Sequence, residues 1–189
     1  LEGAGARIGA IEIDCGSIFD ESDPREDSLL YRTANRLHVD TRESTIRAQL
    51  LFASGDRYSR RVLAESERVL RQQRYLHEPQ IQPVAWHDGV VDVRVQATDV
   101  WTTSPGVSVS RSGGTNRLGA EIEELNLFGR GKQLSAGYST DVDRTSLGIA
   151  WRDPAVLGSR WTSEAAYTDS DDGSVWAVGV DRPFFAMDS

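Results

Sequence analysis

The sequence predicts two architectures in series: an α+β unit of order β-α-α-β-β over residues 1–100, then an antiparallel β meander over residues 101–189. Three observations carry this. Apolar residues at helical spacing occur only before Val100. Four of the five tryptophans and most of the 17 glycines come after it. From there on, alternating segments of about ten residues are separated by short turn signals. Charge does not mark the boundary, because both halves are equally acidic.

In the first half, Arg7–Ile13 reads as a strand in which Ile11 and Ile13 alternate with Glu12. The polar stretch Asp20–Asp27 is a loop by composition, and Asp27 or Ser28 caps a short helix carrying Leu30, Ala34 and Leu37. Asp40-Thr41-Arg42-Glu43 resembles a capping box. The helix it opens sets Ile46 and Leu50 on one face and stops at Ala53-Ser54-Gly55-Asp56, with Gly55 as the left-handed terminator. Ser59 starts a second helix reaching Gln73. Val62, Leu63, Val69 and Leu70 form its buried stripe, and Arg60, Arg61, Glu65, Glu67, Arg68 and Arg71 its solvated face. Two strands close the half, Gln80–Trp86 and Val90–Thr98, joined across the hairpin signal Asp88-Gly89. The valine-rich later strand suits the sheet centre. The earlier one, carrying Pro79 and Pro83, is an edge, because proline cannot donate to a ladder.

The second half holds six candidate strands: 105–112, 115–127, 133–141, 145–153, 159–168 and 174–182. One set of alternate positions is apolar: Leu118, Ala120 and Ile122; Leu134, Ala136 and Tyr138; Leu147, Ile149 and Trp151; Trp161, Ala165 and Tyr167; Trp176, Val178 and Val180. The other set is small, polar or charged, as in Gly119, Glu121 and Glu123, or Ser135, Gly137 and Ser139. A soluble sheet with one wet face gives the same pattern. The uniform strand length is what a tilted membrane-spanning strand needs. The helical stripes of the first half are already committed to their own sheet, so nothing else in the chain covers so wide an apolar face. Both points favour a partial transmembrane β-barrel, which six strands cannot close.

Composition excludes several classes. The chain of 189 residues is 39% hydrophobic and 26% charged, with mean hydropathy −0.43, too polar for a helical membrane protein. A net charge of −8 argues against nucleic acid as a partner. The single cysteine, Cys15, permits neither an internal disulfide nor a cysteine-based zinc site. His38, His77 and His87 are scattered. Asp169, Asp171, Asp172 and Gly173 lack the spacing of a calcium loop and read as a hairpin turn. Gly113-Gly114 and Gly129-Arg130-Gly131 are turn glycines rather than a phosphate cradle. No catalytic, cofactor or metal constellation emerges, so a non-enzymatic role is expected.

The run Leu50–Ser59, the stretch Leu63–Leu70, Arg74-Tyr75 and the hairpin Gly89–Val95 together resemble a POTRA domain. Glu124-Leu125-Asn126-Leu127-Phe128-Gly129-Arg130-Gly131 resembles an early strand-and-turn signature of the barrel in the BamA/TamA-type outer-membrane assembly superfamily, also called bacterial surface antigens. Asp153-Pro154 and Asp181-Arg182-Pro183-Phe184 are similar to its later strand ends. The resemblance covers roughly residues 7–185. The family's barrel has more strands and an Arg-Gly-aromatic motif, neither of which stands here, so the chain reads as an amino-terminal piece of a longer protein. The resemblance implies a periplasmic first half and an outer-membrane second half that assist insertion or translocation of polypeptides. It also implies that extended clients add to the edge strand at Gln80, Ile81, Gln82, Val84 and Ala85, with outer-membrane lipid as the second partner. An open six-stranded sheet with an apolar face should self-associate. A soluble periplasmic or secreted module that binds a partner through an exposed sheet is the alternative.

Overall fold

The structure, a computed structural model, describes residues 2–16, 39–112, 115–141 and 143–183, and it divides into two units between Trp101 and Thr102. The helix expected at Leu30, Ala34 and Leu37 lies outside the described residues, as does His38.

The first unit runs β1 (Arg7–Gly16), α1 (Glu43–Gln49), α2 (Arg60–Arg71), β2 (Leu76–His87) and β3 (Val90–Asp99). Its sheet has the order β1-β3-β2, with β1 parallel and β2 antiparallel to β3. The proline-bearing strand is thus at an edge and the valine-rich strand at the centre. Val91, Val93 and Val95 are fully buried and pack with Ile8, Ile46, Leu63, Leu70, Tyr75 and Ile81. Burying each such side chain contributes about 1.5–3 kcal/mol, an upper estimate when the unfolded chain is compact. Asp88 and Gly89 adopt φ of 49° and 79°, the left-handed pair that a two-residue hairpin needs to match strand twist.

Two helix boundaries depart from the local expectation. α1 has Arg42 as its N-cap with no side-chain cap bond, two residues after the Asp40 acceptor of the expected capping box. The Thr41 N–H and Oγ1 both donate to the carboxylate of Asp99, each at 2.6 Å. α1 also ends at Gln49 rather than near Gly55. Leu50 and Phe52 are drawn into the core in place of a further helical turn, and the Leu51 N–H is taken by Ser66 Oγ on α2 at 2.9 Å. Gly55 is left-handed, with φ 92°, but in the following turn. α2 conforms: Ser59 is its N-cap and Leu63, Ser66, Val69 and Leu70 are buried.

The second unit is a six-stranded open sheet of β4 (Thr103–Ser112), β5 (Thr115–Leu127), β6 (Lys132–Thr140), β7 (Thr145–Asp153), β8 (Thr162–Ser170) and β9 (Gly173–Asp181), in sequential order. Every neighbouring pair is antiparallel. β8 begins three residues later than expected. The turn before it carries a short 3-10 segment, Val156–Gly158, closed by a Val156 N–H bond to Trp161 O, so Arg160 and Trp161 precede the strand. This meander is a partial barrel-like sheet, and it does not close.

Candidate functional site

The two edges of the three-stranded sheet differ. The outer edge of β1 is covered from Ala6 to Ile11 by the chain's own backbone and side chains. The Ile8 N–H donates to Asp56 O, the Gly55 N–H to Ile8 O and the Tyr58 N–H to Ala6 O, each at 2.8 Å. Ser54 Oγ donates to Gly9 O and Arg47 Nη2 to Ile11 O. β2 is the more open edge.

All five residues singled out for client binding, Gln80, Ile81, Gln82, Val84 and Ala85, lie on β2. Ile81 is buried and the other four are exposed. The register pairs Ile81 with Val95 and Pro83 with Val93, and Val84 is the extra residue of a bulge. The Ile81 N–H does not join the ladder; it donates to Glu67 Oε2 of α2 at 3.1 Å. Ile81 therefore occupies a non-hydrogen-bonded position whose N–H points outward. Two residues on, the equivalent position is Pro83, which has no N–H. Glu67 also binds Arg71 Nη2 at 2.5 Å through its other oxygen. Sequence reasoning set Glu67 on the solvated face of its helix; the structure turns it onto the strand. A helical pattern reports which residues share a face but not which strand edge that face reaches.

In the second unit, directly opposed residues decide which side chains share a face. Val107 pairs with Ala120, Ala120 with Tyr138, and Tyr138 with Leu147. Leu134 pairs with Trp151, Trp151 with Ala165, and Ala165 with Val178. The apolar positions of all six strands thus form one continuous face. It is uncovered: Val107, Leu147, Trp176 and Val178 are 77%, 61%, 73% and 78% exposed. Tyr167 and Trp176 touch across β8 and β9 with ring centroids 4.3 Å apart.

The opposite face carries the small and charged residues, and the sheet is hollow on that side. One cavity of about 430 Å³ is lined by Glu123, Gln133, Ser135, Arg152 and Glu164; another of about 460 Å³ is lined by Gly106, Glu121, Gly137 and Gly148. Glycines make room here for their cross-strand neighbours: a Cβ on Gly106 would lie 2.8 Å from Glu121 Cγ, and one on Gly119 would lie 2.5 Å from Ser108 Oγ. Arg152 pairs with Glu164 at 3.1 Å.

The two ends of this sheet are built differently. At the end where Thr102 enters, Glu124 accepts from Thr102 Oγ1, Thr103 Oγ1 and its own strand's Asn126 N–H. Asn126 Oδ1 caps the Gly131 N–H at 2.7 Å, and Lys132 Nζ pairs with buried Asp153 at 2.8 Å. At the other end the contacts are exposed, such as Arg144 with Asp172 and the Thr145 N–H with Asp171. The Asp169–Gly173 segment is accordingly the β8–β9 hairpin. Among the described residues no group of three or more His, Cys, Asp or Glu is placed to hold a metal ion.

No protein-family model matches the chain, and no characterised protein matches it in sequence. Solved structures match it in fold. BamA from Haemophilus ducreyi, in a form lacking POTRA domains 1–3, superposes with a TM-score of 0.58 over 85% of this chain at 16% identity. CdiB from Acinetobacter baumannii superposes with a TM-score of 0.60 over 88% at 18% identity. The chain spans 27% and 28% of those two chains. At such identity the likeness is one of fold: the chain is built like a part of these proteins.

Proposed function

We propose that the chain is part of an outer-membrane protein that assists insertion or translocation of polypeptides, acting by binding rather than by covalent chemistry. In this reading residues 1–100 are a periplasmic POTRA domain and residues 101–189 are the first strands of a barrel. The observation that carries it is the strand register, which gathers the apolar positions of six strands onto one bare face and leaves the polar, glycine-rich positions on the hollow side. Water is a poor neighbour for such a face and hydrocarbon a good one. Nine residues, the length of β6 to β9, at about 3.3 Å each and tilted roughly 40° reach about 23 Å, close to the ~25 Å apolar band of such barrels.

The fold likeness to BamA and CdiB supports this reading across both units. A match over 85% of the chain is wider than residues 102–183 alone could provide. The order β-α-α-β-β with a central third strand supports the POTRA assignment. Extended clients then add to the β2 edge, the β1 edge being covered from Ala6 to Ile11. The test is fractionation of the complete gene product in its native host. The protein is expected in the outer-membrane fraction, extracted only by detergent. Recovery wholly in the aqueous fraction overturns the membrane role and leaves a soluble partner-binding module.

A further inference from the structure

We infer that Glu67 occupies the place of an incoming strand's carbonyl on β2, so that it gates strand addition and fixes its register. The inference rests on the strand-addition reading above and specifies its regulation. A strand that joins an edge needs outward N–H groups to which its carbonyls can bond. Around the centre of β2 these are scarce. Pro79 and Pro83 have no N–H, and between them the outward donor is that of Ile81. That donor is held by Glu67 Oε2 at 3.1 Å.

A carboxylate there does chemically what a strand carbonyl would do, and it is tethered. It comes from α2, is about one-quarter exposed, and is steadied through its other oxygen by Arg71. A client must expel it before its own backbone can bond, and its carbonyl must then stand opposite Ile81, because Pro83 offers nothing two residues along. The bulge at Val84 ends the regular edge on that side. The edge is therefore closed against adventitious pairing and opens to a segment that competes with one internal bond.

The experiment uses the full chain in detergent micelles and a fluorescent, extended peptide of about ten residues in which Thr alternates with Val and Tyr. A photo-crosslinker at position 82 reports where the peptide lies. In Glu67→Ala the peptide is expected to bind roughly tenfold tighter, the weight of one charge-assisted hydrogen bond no longer competing. Amide exchange of Ile81 in the peptide-free protein should quicken by at least about tenfold, while Gln80 and Gln82 stay as they were. Glu67→Gln, which keeps an accepting oxygen, should remain within about threefold of the wild type on both measures. Unchanged Ile81 exchange in Glu67→Ala overturns the cap. Peptide captured at position 82 with equal affinity in wild type and Glu67→Ala overturns the gate and leaves strand addition standing. Absence of capture at position 82 in every variant overturns strand addition at this edge, and the gate with it.

Discussion

Gly9 sits where β1 carries two residues, Gly9 and Ala10, against the single Asp92 of β3. A Cβ there would lie 2.3 Å from Asp92 Oδ1 and 2.4 Å from Val90 Cγ1. Asp92 Oδ1 is meanwhile held by the Ala10 N–H at 2.8 Å, so it cannot retreat without losing a bond. Gly9→Val should cost about 1–3 kcal/mol, the range for overpacking, read as a lowered urea midpoint. Gly3→Val, with open space around it, should leave the midpoint in place. Cys15 makes a second residue-level prediction. Its thiol donates to Asp99 at 3.2 Å, and burial, then the Asp99 carboxylate, push its pKa well above the ordinary range. Alkylation by iodoacetamide at pH 8 should be at least roughly tenfold slower than for an exposed thiol, and Asp99→Asn should speed it. Equal rates in the two proteins would refute the contact. Tyr75, whose hydroxyl is buried with no hydrogen-bond partner among the described residues, is shifted upward too, by burial first and Asp99 next. In the unfolded chain these groups release protons at their ordinary values of 9.0 and 10.0. The folded form keeps them, so stability should fall as pH rises past about 9.

At the scale of elements, the two faces of the meander make opposite predictions. Val178→Arg places a charge on the apolar face and should cost about 2–4 kcal/mol of membrane insertion if the site lies near the midplane. Ser135→Arg, on the hollow side, should be far milder. Comparing the two in a membrane-integration assay of the complete protein tests the assignment of faces; equal losses would sink it. Strands and hairpins were the legible part of this chain because their signals are local. A period of two, Asp88-Gly89, and the two prolines on the first unit's edge strand report the fold without knowledge of its partners. The start of α1 was illegible because a contact 58 residues away, Asp99 with the Thr41 N–H and hydroxyl, holds the chain just before it. Its end was illegible because Leu50 and Phe52 gain more from the core than from another helical turn. The β2 edge could be read from Pro83. The Glu67 cap could not, since it depends on how α2 docks on the sheet.

At the scale of the whole molecule, the exposed apolar face and the two edges, β4 and β9, that no described strand pairs with set the behaviour of the 189-residue chain. Without detergent it should form dimers or larger assemblies through these strands, and light scattering of a monodisperse monomer at high concentration would contradict that. In lipid vesicles, brominated acyl chains should quench the fluorescence of Trp151 and Trp176, on the apolar face, more than that of Trp86. Trp86 lies on β2 of the first unit. Uniform quenching would argue against that face as the lipid contact.

Lys132 is the sole lysine of the sequence. It is anchored to Asp153 and lies with its ammonium 5.6 Å from the ring centre of Trp151. An amine-directed dye therefore has one side chain to find, at the start of β6, beside an indole able to dim its emission. With the terminal α-amine blocked, labelling of unmutated protein would give an optical reporter of whether that corner of the sheet stays assembled.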